Sequence, residues 1–169
     1  MGGTKDDPTY HALGDHSETV QLDYDPSVIT YEELLTVFFE GHDATQRVGS
    51  RQYMSAVFHH DADQERLARE TKAALERELG KTVRTEIMPA STFYMAEDYH
   101  QKYGLQGNRS VMDEYRRMYP DLWDIVDSTS ATRANAYLYG YGSAEQLRGE
   151  LDDLGLSKEA QGRLLSRVE

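Results

Sequence analysis

Residues 1–25 read MGGTKDDPTYHALGDHSETVQLDYD, and the rest of the chain is organised around this run. Gly2-Gly3 marks a turn and Pro8 sits in a loop, while Val20, Leu22 and Tyr24 alternate with polar residues in the manner of a half-buried strand. A polar loop is thus predicted to lead into a strand and to bring Tyr10, His16 and Glu18 to its mouth. A carboxylic acid beside a phenol and an imidazole can carry proton transfer, because partial burial raises a glutamate's pKa toward neutrality. The same residues also allow a plain reading, a solvated loop with Glu18 on an edge strand, since perturbed acids are a minority of carboxylates.

Moving outward, Thr30-x-x-Glu33 has the form of a capping box and predicts a helix over 31–40 that buries Leu34, Leu35, Val37 and Phe38 and stops at Gly41. Gln52 to His60 is apolar on both faces near its middle, which predicts an interior strand. Asp61-x-x-Gln64 caps a long helix with Leu67, Ala68, Thr71, Ala74 and Leu75 at helical spacing and Gly80 just past its end. Lys81 to Met88 follows as a strand ended by Pro89. Strand, helix, strand, helix, strand predicts the α+β class, a two-layer sandwich with helices on one face of the sheet.

From Ala96 the pattern turns helical. Short helices are predicted at 97–103, at 109–119 with Val111, Met112, Tyr115 and Met118 on one face, and at 128–139 behind a Ser128 cap; Pro120 breaks the second. Ser143 and Ser157 open two more, carrying Leu147, Leu151, Leu154, Leu164, Leu165 and Val168. The expected division is an α+β domain over 1–106 and a helical extension over 107–169.

Composition removes several function classes. A net charge of -12 opposes nucleic acid and anionic membranes as partners, which both demand basic patches. No apolar run reaches the length of a membrane span and no signal-like segment opens the sequence, so a cytoplasmic protein is expected. The cysteine count is zero, which leaves no disulfide, thiolate metal site or thiol nucleophile within these 169 residues. His59-His60-Asp61-x-Asp63 is not read as a metal site, because adjacent strand histidines point to opposite faces and supply no tetrahedral set. No cofactor is implied.

Ordered blocks add a resemblance. Gly2-Gly3-Thr4, Pro8-Thr9-Tyr10, Gly14-Asp15-His16-Ser17-Glu18, Tyr24-Asp25-Pro26, Gly41-His42-Asp43, Gln52-Tyr53 with Ser55-Ala56, and Phe93-Tyr94 with Ala96-Glu97-Asp98-Tyr99-His100-Gln101 resemble the A-type peptide-methionine sulfoxide reductases, in the same order. The resemblance implies a ferredoxin-like plait and thiol-dependent repair of oxidised methionine, free or in proteins, with thioredoxin as reductant. It makes Tyr10 and Tyr53 the phenols that hydrogen-bond the sulfoxide oxygen and Glu18 the acid that protonates it, with His16 beside them in the substrate site. The family's nucleophile is a cysteine in a Gly-Cys-Phe-Trp-Gly turn, and these five residues do not occur here. Val48 stands where many members carry an aspartate, and the segments around Ala136 and Leu156 resemble an extension found on one branch.

Two readings of the missing cysteine follow. In the favoured one the chain is an N-terminally truncated reductase without the family's first strand and helix, because Met1-Gly2-Gly3 aligns with the end of a Gly-Tyr-x-Gly-Gly run. In the other it is a pseudoenzyme that binds methionine sulfoxide or a protein partner. A structural role through strand addition at an open sheet edge is a third and weaker possibility.

Overall fold

Thr30 closes the start of the first helix from both sides. In the computed structural model, which describes residues 1–169, its hydroxyl accepts from the Glu33 N–H at 3.2 Å while its own N–H donates to Glu33 Oε2 at 2.7 Å. Helix α1 runs Tyr31–Glu40 and buries Leu35 and Phe39, residues one turn apart. Val37 was expected inward but is 62% exposed. Two residues make about 200° of helical rotation, so a stripe centred on Leu35 and Phe39 turns Val37 to solvent.

Strand β1 (Ala56–His59), helix α2 (Ala62–Leu79) and strand β2 (Glu86–Pro89) form a parallel strand pair with a helical crossover, in the register Ala56↔Glu86 to His59↔Pro89. Asp61 Oδ1 accepts from the Gln64 N–H at 2.8 Å to start α2. Gly80 ends it at φ +62°, a left-handed C-cap that a side chain would strain. The α+β class is as expected, but the sheet has two strands. Residues 20–24 form no strand, and Val20 and Leu22 are 81% and 62% exposed. Alternation prescribes a pleat, but a strand exists only where a second backbone completes the ladder.

The other two expected strands are shortened for a similar reason. Arg51–Tyr53 is a 3-10 turn capped by Ser50, so β1 begins only at Ala56. Before β2, the Val83 N–H donates to Glu76 Oε1 at 2.9 Å and the Arg84 N–H to the Ala44 carbonyl at 2.7 Å, which diverts that backbone from the sheet. Pro89 does not end its strand from outside; it is the last paired residue. Phe39, Ala44 and Val83 form the core here, flanked by Phe38 and Leu75. A polar chain crosses beside it: His42 Nε2 to Ser55 Oγ, and Ser55 Oγ to the buried Thr85 hydroxyl, each 2.8 Å.

Residues Met1–Met95 make one compact unit and Ala96–Glu169 a second. The second is all helical. A helix expected over 97–103 is instead a 3-10 turn at Asp98–His100 and a short helix α3 (Tyr103–Gln106), separated because Lys102 sits in the left-handed region at φ 46°. Helix α4 (Arg109–Met118) lies where its apolar face predicted it, and α6 (Thr129–Leu138), α7 (Ala144–Glu150) and α8 (Lys158–Val168) lie where capping residues predicted them. Helix α5 (Leu122–Asp127) was not foreseen; Asp121 caps its start, and Ser128 ends it while opening α6. Leu105, Val111, Met112, Tyr115, Ile125, Leu147 and Leu164, each 1% exposed or less, form a continuous core. Met118, expected on the inner face of α4, is 40% exposed. No helix of the chain is long and apolar enough to cross a membrane.

Candidate functional site

The site is built by folding the first eighteen residues against the 3-10 turn at Arg51–Tyr53. Asp15 gathers the loop: its carboxylate accepts from the Thr4 N–H at 2.8 and 2.9 Å, from the Thr4 hydroxyl at 2.9 Å and from the Lys5 N–H at 3.2 Å. These donors, Thr4 foremost, hold its pKa down to about 2. Gly3 is required at this closure, because a Cβ there would lie 2.6 Å from Asp15 Oδ1 and from the main-chain nitrogen of His16.

His16 is 2% exposed and wholly engaged by backbone. Its Nδ1 accepts from the Gly3 N–H at 3.2 Å, so the other nitrogen carries the proton and donates to the Lys5 carbonyl at 2.8 Å. Tyr94 packs edge-on against the ring at 5.5 Å. The histidine therefore braces the loop from beneath, with both ring nitrogens turned to main chain.

Arg51 ties the loop to the turn, donating through Nε to the Asp15 carbonyl at 2.7 Å and through its terminal nitrogen to the Gly2 carbonyl at 2.9 Å. The Ser17 hydroxyl returns a bond to the Arg51 carbonyl at 2.8 Å. One residue on, the Glu18 N–H donates to the Gln52 carbonyl at 2.9 Å. Extended backbone alternates its side chains. With Ser17 buried below, Glu18 stands on the solvent side, exposed. The partial burial expected of this carboxyl is not present.

Above the turn the side chains meet. Gln52 Nε2 donates to Glu18 Oε1 at 2.6 Å and to the Tyr53 hydroxyl at 3.2 Å. Tyr10, carried on a tight turn closed by the Ala12 N–H to the Thr9 carbonyl at 2.9 Å, reaches the same spot. Tyr10 first, through the charge it carries once ionised, then the Glu18 carboxylate, raise the pKa of Tyr53 above its ordinary value. Two phenols and a carboxyl thus converge on open solvent, with Tyr10 39% and Tyr53 56% exposed. Such an arrangement can donate hydrogen bonds to one acceptor oxygen and exchange a proton with it. Sequence reasoning placed Tyr10, Glu18 and Tyr53 but gave Gln52 no part; its only signal was its place before Tyr53.

Beside this cluster opens a trough of about 670 Å³, lined by Glu18, Val20, Leu22, Leu34, Phe38, Tyr53, Val57, Phe58 and Phe93 among others. Val48, at the position where the resembled family often carries an aspartate, lies on its wall and is 49% exposed.

Residues 1–133 match the sequence model described as peptide methionine sulfoxide reductase. A peptide methionine sulfoxide reductase of Drosophila melanogaster is 40% identical over 159 residues, covering 92% of this chain and 63% of the relative. Peptide methionine sulfoxide reductase MsrA of Sulfolobus acidocaldarius is 46% identical over 112 residues, covering 60% of this chain and 63% of its own length. Peptide methionine sulfoxide reductase A5 of Arabidopsis thaliana is 39% identical over 145 residues, covering 80% of this chain and 55% of its own. The chain spans less than two thirds of the length of these curated relatives, yet the first similarity is longer than either compact unit and so enters both. The chain belongs to the A-type peptide methionine sulfoxide reductase family.

Proposed function

We propose that residues 1–95 hold the oxygen-recognition half of a reductase of methionine S-sulfoxide, free or in oxidised proteins. Tyr10 and Tyr53 donate hydrogen bonds to the sulfoxide oxygen and Glu18 supplies it a proton. The observation that carries this reading is the convergence of the Glu18 carboxyl with the Tyr53 phenol through the Gln52 amide, at 2.6 and 3.2 Å. Preorganised donors aimed at a developing charge are commonly worth about 3 kcal/mol each in a barrier.

The reaction needs a thiol. A thiolate attacks the protonated sulfoxide, the substrate's sulfur–oxygen bond breaks as the hydroxyl passes to the attacking sulfur, and thioether leaves behind a sulfenic acid. A second thiol then forms a disulfide and releases that oxygen as water, and a dithiol reductant such as thioredoxin reduces the disulfide. With no cysteine among the 169 residues, the nucleophile is supplied from outside them. The same count favours a second reading for these residues taken alone, a module that binds methionine sulfoxide without turning it over.

Both readings are tested together. The 169-residue chain is expected to bind N-acetyl-methionine S-sulfoxide in preference to the R epimer and to reduce neither with dithiothreitol. Joined behind a relative's cysteine-bearing segment, it is expected to reduce the S epimer only, and to lose that turnover with Glu18→Ala. Equal affinity for both epimers would overturn the oxygen-recognition reading. Binding without turnover in a folded, cysteine-bearing chain would leave the binding module as the function.

A further inference from the structure

Gln52 occupies a place in the cluster that the three proposed oxygen-handling residues do not explain. A primary amide carries two N–H donors on one nitrogen, held in a plane. Here that nitrogen faces two acceptors on separate parts of the chain, Glu18 Oε1 at 2.6 Å and the Tyr53 oxygen at 3.2 Å. The residue is fixed at its base as well: its own N–H donates to the Ser50 hydroxyl at 3.2 Å, and its carbonyl accepts from the Glu18 N–H at 2.9 Å. Gln52 and Glu18 are therefore joined twice, once through main chain and once through side chains.

Resting on the proposed sulfoxide-binding role, we infer that Gln52 is a positioning residue whose amide assigns the hydrogen-bonding direction of both partners. Because Glu18 Oε1 accepts from Gln52, the transferable proton of the carboxyl is carried on Oε2. Because the Tyr53 oxygen accepts the second N–H, the single O–H of Tyr53 points away from Gln52 and toward the side on which Tyr10 lies. The amide thereby turns two groups that could each donate or accept into two aligned donors. Thioether sulfur lacks the oxygen that such donors recognise, so the effect is specific to the oxidised substrate.

The test compares Gln52→Met, which keeps length and removes both donors, with the unaltered chain, using N-acetyl-methionine S-sulfoxide and N-acetyl-methionine as probes. Loss of alignment worth about one hydrogen bond predicts about tenfold weaker sulfoxide binding. Thioether binding should stay within about twofold, because no bond to it is lost. A parallel fall in both affinities would mean that Gln52 acts only in folding, and unchanged sulfoxide binding would overturn the inference outright. A second readout does not depend on ligand: the Gln52 side-chain amide protons should exchange with water more slowly than those of Gln21 and lose that protection in Glu18→Ala. Failure of the unaltered chain to prefer sulfoxide would defeat the proposed function, whereas an unprotected Gln52 amide would defeat the positioning role itself.

Discussion

The two compact units are held by different physics. Ala96–Glu169 buries a continuous apolar cluster drawn from α3 to α8, whereas Met1–Met95 has a three-residue core and relies on polar braces between distant segments. Apolar burial is non-directional and tolerates small displacements, but hydrogen bonds fix atoms to within tenths of an ångström. The candidate site lies in the braced unit. A cluster that must aim donors at one oxygen gains more from fixed direction than from buried area.

Truncating the helical core should give the largest effect. Leu164→Ala removes a side chain with no exposure and is expected to cost about 2–5 kcal/mol, read from urea unfolding followed by the fluorescence of Trp123, the chain's one tryptophan. A loss under about 0.5 kcal/mol, the level of an ordinary surface change, would contradict the buried packing described.

Alkali should follow. Burial foremost pushes the Tyr115 and Tyr137 phenols up to about 12, and Tyr137 also donates to Glu150 Oε2 at 2.8 Å. A raised folded pKa contributes stability that is whole below the unfolded value near 10 and is lost as pH climbs through 12. For Tyr115 this is on the order of 2 kcal/mol. The helical unit should loosen over that window, and a flat stability profile between pH 10 and 12 would refute the burial of these phenols.

Acid should act on the other unit, and more locally. Asp15, held near 2, contributes stability present above its unfolded value of 3.8 and lost as pH falls through 2. The Thr4 amide should therefore lose hydrogen-exchange protection as pH drops below about 4, and Asp15→Asn should remove most of that protection at neutral pH. Persistent protection at pH 2 would show that another group holds the loop. The smallest effects belong to the trough rim: Val20→Ser and Leu22→Ser should each change stability by under about 0.5 kcal/mol, since both side chains already face solvent. A larger loss in calorimetry would mean that these residues are covered.

How much of this was legible depended on range. Helix starts were readable because a cap is a contact across three residues; Thr30, Asp61, Ser128, Ser143 and Ser157 all cap where their side chains predicted. Helix α5 escaped because a six-residue segment beside Pro120 shows too little periodicity. Strands were over-read, since alternation at 20–24 says nothing of a partner and Lys81–Thr85 spends its backbone on Glu76 and Ala44. At the site, residue types pointed to Tyr10, His16 and Glu18, and the family resemblance added Tyr53. No spacing rule could reveal that Gln52 bridges the last two, because that contact joins positions 34 residues apart.

The braces around Arg51 also bear on the order of events during folding. They join residues separated by 49, 36 and 34 positions, while the backbone bonds inside α4 and α6 close over about four residues. Closing long loops costs chain entropy before any bond rewards it, so contacts of this span form late. Pulse-labelled hydrogen exchange should find the amides of α4 and α6 protected before that of Glu18. The surface that carries the candidate site is then a late feature of a refolding molecule, and an intermediate with native helices would still lack the junction of Glu18 with Gln52.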